Sequence, residues 1–188
     1  AGDYLSIPDS ADWDIGSSED FFLSLWWKCA AGQNPAYAPW YSNVTLSGGG
    51  NIYTGWRLGP DYISAENQPL SFIYYNEGST AQTVNITGTT DINDQAWHYL
   101  EVSRSGSTIR IFVDGTEDAS GTFSGAIDAG SGCVIGRQFE NADQGYPPGW
   151  IEELIYVKGT AGNTGNYTPP TAPWDDLLIP QPRIANVI

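Results

Sequence analysis

The chain has 188 residues, of which 40% are hydrophobic and 13% aromatic, so it can form one sizeable core, and global disorder is excluded. Only 15% of the residues are charged, while 22 Gly and 12 Pro supply turns, a composition that favours many short strands over helices. The formal net charge of −15 repels phosphate backbones and anionic lipid surfaces, which argues against nucleic acid and membranes as partners.

Short runs of alternating or continuous apolar residues, separated by turn residues, predict a series of strands and no amphipathic helix. Two stretches, 30–51 and 140–149, are longer than a strand connection needs, and long loops on a β-sandwich often carry function. The chain begins Ala1-Gly2, as it would after removal of an initiator Met, so we expect a complete small protein. The predicted strands are 3–8, 21–29, 53–58, 70–75, 83–87, 97–103, 108–114, 133–137 and 150–158.

Alternation of side chains within the strands predicts which residues form the core. The strands 97–103 and 108–114 bracket a turn and read as the most secure hairpin, and Asp114-Gly115 predicts a second tight turn after it. On the opposite face of this hairpin we expect Glu101 and Arg110 to be exposed. The side chains predicted to be buried are Leu23, Leu25, Trp27, Leu100, Val102, Ile109, Ile111 and Val113.

The carboxyl end differs in character from the rest of the chain. Residues 168–188 contain five prolines, which lack an amide donor and prevent a helix or a central strand, so one domain over 1–167 and an extended arm over 168–188 are predicted. The arm is too apolar for a solvated terminus, and we expect it to fasten the domain to a neighbour. Its predicted contact residues are Trp174, Leu177, Leu178, Ile179, Ile184 and Ile188.

The two cysteines, Cys29 and Cys133, are too few for a disulfide framework. With His98 as the only histidine, they also cannot complete a four-ligand zinc site. Both lie in predicted strands, where a disulfide between them and a pair of buried thiols are both compatible with the sequence. The cysteines therefore leave the cellular compartment open.

Several segments together resemble a known family. The stretch 97–115, with Trp97-His98 at its start and Asp114-Gly115 at its end, resembles the hairpin signature of concanavalin A-like lectin, laminin G and pentraxin domains. Residues 4–8 with 21–26, 134–136 and 149–156 resemble other strands of that family, in the same order. The resemblance implies an all-β fold, a two-sheet antiparallel jelly-roll sandwich of the concanavalin A-like/laminin G-like kind, here with an extended Pro-rich C-terminal tail.

No catalytic constellation is evident in the sequence. Relatives that cleave glucans use the spacing Glu-x-Asp-x-x-Glu, but here no Glu is followed two residues later by Asp. Adjacent Glu152 and Glu153 must point to opposite faces of their strand, which excludes them as an acid/base pair, and Glu152 stands where the family usually has Asp. His98 lacks a nucleophile motif, so a packing or surface role is predicted. We therefore expect no enzyme activity.

Two kinds of ligand are compatible with the predicted loops. Relatives often bind calcium through oxygen atoms of their loops, so calcium is the one cofactor that we consider. The acidic residues of this chain do not have the spacing of an EF-hand loop. Aromatic side chains of the loops could instead stack on sugar rings, or cap the core and pack against a neighbouring subunit. The calcium candidates are Asp9, Asp12, Asp14, Asn141 and Asp143, and the candidates for glycan or partner contact are Tyr37, Trp40, Tyr41, Trp56 and Tyr146.

Two functions follow as hypotheses. The ending 167–174 resembles the tail of such domains in bacteriophage structural proteins, which predicts a virion protein at the virion surface. A capsid decoration protein or a tail or fibre component would bind other virion proteins or itself. The alternative is an extracellular, lectin-like carbohydrate-binding module, and a divergent glucanase ranks third.

Overall fold

A computed structural model of the chain describes residues 4–32, 39–47, 52–61, 68–79, 81–130, 132–137 and 146–171. Within these residues the secondary structure is entirely β, with no helix, and hence none long and apolar enough to cross a membrane. The strands are β1 (Leu5–Ile7), β2 (Phe21–Cys29), β3 (Tyr41–Ser42), β4 (Thr45–Ser47), β5 (Ile52–Pro60), β6 (Pro69–Ser79), β7 (Val84–Asp91), β8 (Trp97–Ser105), β9 (Thr108–Val113), β10 (Thr116–Thr122), β11 (Cys133–Ile135) and β12 (Gly149–Lys158).

The strands form two antiparallel sheets that pack as a sandwich, which confirms the predicted fold class. The seven-stranded sheet has the order β1-β11-β3-β5-β6-β7, with β4 paired to β5, and the five-stranded sheet has the order β10-β9-β8-β2-β12. Strands distant in the sequence are therefore neighbours, for example β1 with β11 and β2 with β12. Along one lateral side β7 lies beside β10, and along the other the sheets end in β1 and β12.

All nine predicted strands are present, β2 with the predicted bounds and the others with at least one end shifted, but three further strands were not predicted. β3 and β4 have only two and three residues and lie in the stretch 30–51 that reads as a loop. β10 has the polar sequence Thr-Glu-Asp-Ala-Ser-Gly-Thr, which lacks the alternation of a strand with one apolar face. The turn Asp114-Gly115 that leads into β10 has positive φ at both residues, 50° and 76°, as predicted for a tight hairpin.

The core lies between the two sheets and contains every residue predicted for it. Trp27, Leu100 and Ile111, for instance, are fully buried from the five-stranded sheet, and Trp56 and Phe72 face them from the other. Arg104 is also completely buried, and its guanidinium donates to the carbonyl oxygens of residues at the sandwich end, with Nη2 3.0 Å from Phe123 O. The alternation argument therefore identified the core face correctly.

Glu101 was predicted to be exposed and is only 2% exposed, because a segment of the chain covers the outer face of the five-stranded sheet. Residues 159–171, here called the strap, follow β12 and cross that face. Asn163 donates from its backbone N and its Nδ2 to the Glu101 carboxylate, each at 2.8 Å, and Tyr167 Oη donates to it at 2.9 Å. Arg110, the other residue predicted to be exposed, is half-buried and lies 3.4 Å from Glu117.

The strap is fixed to the five-stranded sheet through Tyr167 and Gly115. Tyr167 packs edge-on against Phe112 and Tyr99 and donates its backbone N to Gly115 O. A Cβ on Gly115 would lie 2.0 Å from Tyr167 O, so only glycine allows this contact. Of the predicted arm, only residues 168–171 are described, and they belong to the strap.

The lateral side formed by β7 and β10 is closed by one carboxylate. Asp118 accepts hydrogen bonds from the backbone N atoms of Thr89 and Thr90 and from both of their hydroxyls, at 2.8–3.2 Å. It stands at a bulge of β10, between Glu117 and Ala119. A Cβ on Gly88 would lie 1.8 Å from the Asp118 carboxylate, so a side chain there would displace that carboxylate. Asp118 thus ties the edges of the two sheets together.

Of the two arrangements of the cysteines that the sequence allowed, the structure has the pair of thiols. Cys29 and Cys133 are both buried and are not bridged to each other. Burial raises the pKa of Cys133 to about 12, so its sulfur is held as an unreactive thiol.

Candidate functional site

The open lateral side of the sandwich forms a groove between the edge strands β1 and β12. Its volume is about 550 Å³, which is within the usual range of small-ligand sites. Apolar side chains of Leu5, Ile135, Ile151 and Leu154 lie beside two tyrosines and two glutamates in its lining. The described lining residues are Tyr4, Leu5, Ile135, Gly136, Tyr146, Pro147, Gly149, Ile151, Glu152, Glu153 and Leu154.

A bulge in β12 brings two acidic residues to this groove. In the pairing with β2, Glu152 lies opposite Trp26 and Ile155 lies opposite Ser24, so Glu153 and Leu154 together oppose Leu25 alone. Glu153 has φ of 51°, which is uncommon for a residue with a side chain. The expectation that Glu152 and Glu153 are kept apart on opposite faces of the strand is wrong. The bulge interrupts the alternation of side chains, and both residues line the same groove.

Neither glutamate is used by the fold within the part of the chain that is described. Glu152 is exposed and Glu153 is half-buried, and neither forms a hydrogen bond or an ion pair there. Ionised carboxylates are acceptors with about four lone-pair sites each, so the pair can accept several hydroxyl groups of a ligand.

Tyr4 is held at the groove by an arginine. It is 45% exposed, and the Arg137 guanidinium carbon lies 4.0 Å from the centre of its ring, a cation–π contact. Arg137 Nε is buried and makes no hydrogen bond in the described structure. Arg137 therefore covers part of the Tyr4 ring at the groove.

Gly149 is the first residue of β12 and lies at the groove. A Cβ at this position would lie 2.1 Å from Lys28 O and 2.7 Å from the Trp27 ring. Only glycine therefore lets β12 approach β2 at this end, where Gly149 pairs with Cys29.

Most of the aromatic residues predicted to contact a glycan or a partner lie elsewhere. Trp40, Tyr41 and Trp56 are at most 1% exposed, so they belong to the core and have no face for a ligand. Trp40 packs against Trp27 at 5.1 Å, and Tyr41 stacks on Trp56 at 4.2 Å. The prediction is wrong for these three because their rings fill the space between the sheets. Of the remaining two, Tyr146 lines the groove, and Tyr37 lies outside the described residues.

Exposed aromatic residues that the sequence argument missed lie on the outer face of the five-stranded sheet. Trp150 is 55% exposed and Trp97 38% exposed, and Lys28 pairs with both across neighbouring strands. For Trp97 the signal was available, since the alternation that places Leu100 and Val102 in the core assigns Trp97 to the outer face of β8. Tyr4, which is also exposed, could not be found because its neighbour β11 is more than a hundred residues away.

His98 has a structural environment, as expected. It is 7% exposed, with Nδ1 2.8 Å from Asp114 Oδ2 and Nε2 2.9 Å from Asp94 Oδ1. Burial acts to lower the pKa of His98, but the hydrogen bonds to Asp114 and Asp94 outweigh it and raise that pKa. The imidazolium form satisfies both carboxylates at once, because only then do both ring nitrogens donate.

The three calcium candidates that the structure describes, Asp9, Asp12 and Asp14, do not form a metal site. Among the described residues, no group of three or more His, Cys, Asp or Glu side chains is placed to hold a metal ion. Asp14 instead accepts from Ala129 N at 2.8 Å, and Asp12 from the Ser10 hydroxyl at 3.0 Å, while Asp9 takes part in no acidic group. Asn141, Asp143 and the predicted contact residues of the arm lie outside the described residues.

Comparison with known proteins is consistent with this architecture. The family model described as the concanavalin A-like lectin/glucanases superfamily matches residues 1–158, and no curated protein matches the chain significantly. Similar solved structures include the binding domain of Paraclostridial Mosquitocidal Protein 1, with a TM-score of 0.58 and 12% identity over 85% of this chain and 38% of that one. This chain therefore spans less than half of that binding domain.

Two further similar structures carry sugars. The CBM40 of the Ruminococcus gnavus IT-sialidase, bound to α2,3 sialyllactose, has a TM-score of 0.58 and 13% identity over 86% of this chain and 92% of that one. Domain 4 of AbnA, a GH43 extracellular arabinanase from Geobacillus stearothermophilus in complex with arabinotriose, has a TM-score of 0.54 and 18% identity over 84% and 67%. At these identities the likeness is one of fold.

Proposed function

Because the chain belongs to the concanavalin A-like lectin/glucanases superfamily, we propose that it is a non-catalytic carbohydrate-binding module that holds a sugar chain in the groove between β1 and β12. The observation that carries the proposal is the composition of the groove. Partly exposed Tyr4 and Tyr146 lie beside Glu152 and Glu153, two carboxylates without other partners in the described structure.

Sugar recognition needs both kinds of group that this groove contains. A pyranose or furanose ring has apolar C–H faces, which pack on aromatic rings, and a rim of hydroxyls, which donate to carboxylates. Tyr4 and Tyr146 supply rings, and Glu152 and Glu153 supply acceptors. The apolar lining adds area from which water is displaced.

Two of the similar structures support the proposal, since their names describe domains in complex with sialyllactose and arabinotriose. A role as a bacteriophage structural protein has no such support, because none of the structures compared above is named as a virion protein. That role, its virion partners and both locations considered, virion surface or extracellular, stay predictions from the sequence.

The binding proposal is tested on a glycan array, followed by calorimetric titration with the glycans that bind. We expect Tyr4→Ala and Tyr146→Ala each to weaken binding by about tenfold or more, through loss of stacking area. Trp97→Ala is the matched control, an exposed aromatic residue outside the groove, and should leave the affinity within about twofold. Binding that is lost with Trp97→Ala and kept in both tyrosine variants would place the site on the outer face of the sheet instead.

The absence of catalysis is tested separately. Purified protein incubated with β-glucans, agar and alginate should release no reducing sugar, because the sequence has neither the Glu-x-Asp-x-x-Glu spacing of the glucanases nor a nucleophile motif. Hydrolysis that disappears in Glu152→Gln or Glu153→Gln would make the groove an active site and overturn this part of the proposal.

A further inference from the structure

We infer that the groove selects uncharged sugar chains and rejects chains that carry carboxylates, such as sialylated or uronate-containing glycans. The inference rests on the proposed function and adds the class of ligand. It runs against the simplest transfer from the similar structures, one of which is bound to sialyllactose.

The charges at the groove carry the inference. Among the described lining residues, the only side chains with a formal charge are Glu152 and Glu153, and both are negative. No described cation forms an ion pair with either of them. A ligand carboxylate beside these residues would meet two like charges without a compensating one, and such juxtaposition is how binding sites exclude wrong partners.

One candidate for a compensating charge is Arg137, which is not one of the described lining residues. Its guanidinium carbon lies 4.0 Å from the centre of the Tyr4 ring, and its Nε is buried. Arg137 supplies one positive charge against the two carboxylates of Glu152 and Glu153, so the net charge of these three side chains is still negative. An uncharged sugar stacks on Tyr4 and donates hydroxyls to the glutamates without meeting that charge.

The net negative charge of the whole chain also disfavours binding of anionic glycans. The chain has 22 acidic and 7 basic residues, so an anionic glycan approaches against a repulsive field. This long-range contribution is screened by salt, whereas the contact with Glu152 and Glu153 is screened less.

The test is an array on which each uncharged glycan is printed beside its sialylated or uronate-containing counterpart, followed by titrations of matched pairs. We expect the uncharged member of a pair to bind at least about tenfold more tightly at low salt. Added salt should reduce the ratio between the affinities for the uncharged and the acidic member of a pair. The double variant Glu152→Gln, Glu153→Gln should narrow it further, by strengthening binding of the acidic member.

Each outcome bears on a different claim. Acidic glycans that bind as tightly as their uncharged counterparts, or more tightly, would overturn the charge selection and leave the groove as a sugar site, especially if Arg137→Gln abolishes that binding. A preference for uncharged glycans that persists in the double Gln variant would also overturn it, because the glutamates would not be the cause. Absence of binding to any glycan would overturn the proposed function and this inference with it.

Discussion

Four acidic side chains of this domain lie in two contrasting kinds of surroundings. Glu101 and Asp118 lie where the sandwich is closed, the first under the strap and the second between β7 and β10, and their oxygens accept hydrogen bonds from neighbouring residues. Glu152 and Glu153 lie at the open side, where no described residue donates to them. Acidic residues that the sequence does not distinguish thus lie in different environments in the fold.

The difference separates stability from function. A carboxylate that is buried and fully bonded stabilises the fold, and its removal leaves donors without acceptors. A carboxylate that the fold leaves unpaired at a groove contributes little to folding and remains available to a ligand. If this comparison is right, substitutions on the closed parts change stability, and substitutions at the groove change binding.

The largest effect is expected at Glu101. Replacing Glu101 by Ala leaves Asn163 and Tyr167 without their acceptor and should lower the free energy of unfolding by about 2–4 kcal/mol, measured by urea denaturation. The matched control is Glu152→Ala, which should change it by less than about 0.5 kcal/mol. Equal losses of unfolding free energy in Glu101→Ala and Glu152→Ala would contradict the proposed difference between a buried carboxylate and a carboxylate of the groove.

A smaller effect is expected at the edge between β7 and β10. Asp118→Ala leaves the backbone N atoms and hydroxyls of Thr89 and Thr90 without their acceptor. Because the Asp118 side chain is only half-buried, the free energy of unfolding should fall by about 1–2 kcal/mol. Gly88→Ala should cost a similar amount, because its Cβ would displace the same carboxylate. The double variant should therefore be little worse than either single variant. Additive losses would mean that Gly88 acts through backbone conformation and not through Asp118.

The closed parts should also give the domain a pH dependence. The folded-state pKa of His98 is raised, so its contribution to stability is fully present below the unfolded-state value of about 6.5 and is lost as the pH rises through the folded-state value. Unfolding free energies from pH 6 to 9 should decline more in the wild type than in His98→Gln. Parallel curves for the two proteins would show that the bridge between Asp94 and Asp114 does not depend on the proton.

The smallest effect on stability is expected at the groove, and its sign is opposite. Glu153 has a positive φ, which glycine adopts without strain, so Glu153→Gly should leave the domain unchanged or stabilise it by up to about 1 kcal/mol. The same substitution removes one acceptor for sugar hydroxyls and should weaken binding. A clear destabilisation would show that the Glu153 side chain supports the fold.

The sequence sufficed for the faces of long, regular strands. In β2, β8 and β9 alternation identifies the core, and Leu25, Val102 and Ile111 are buried as predicted. It failed for Glu101, because the outer face of β8 is covered by the strap, and nothing in local periodicity reports what a segment sixty residues later will cover. It also failed at Glu153, where a bulge shifts the alternation by one residue.

The site was harder to predict than the fold for the same reason. The groove exists because β1 pairs with β11 and β12 pairs with β2, so that Tyr4 and Glu152 come from opposite ends of the chain. Among the aromatic residues, Trp40 precedes β3, which has two residues and is too short to show alternation, whereas Trp56 shares one face of β5 with Leu58, a pattern that favours burial. Only the assembled sheets show which rings remain accessible.

The most direct test of the account is a crystal structure of the domain with an uncharged oligosaccharide that the array identifies. We expect a sugar ring stacked on Tyr4 or Tyr146, with hydroxyls that donate to Glu152 or Glu153. A sugar that lies instead across Trp97 and Trp150 on the outer face, with the groove empty, would contradict it.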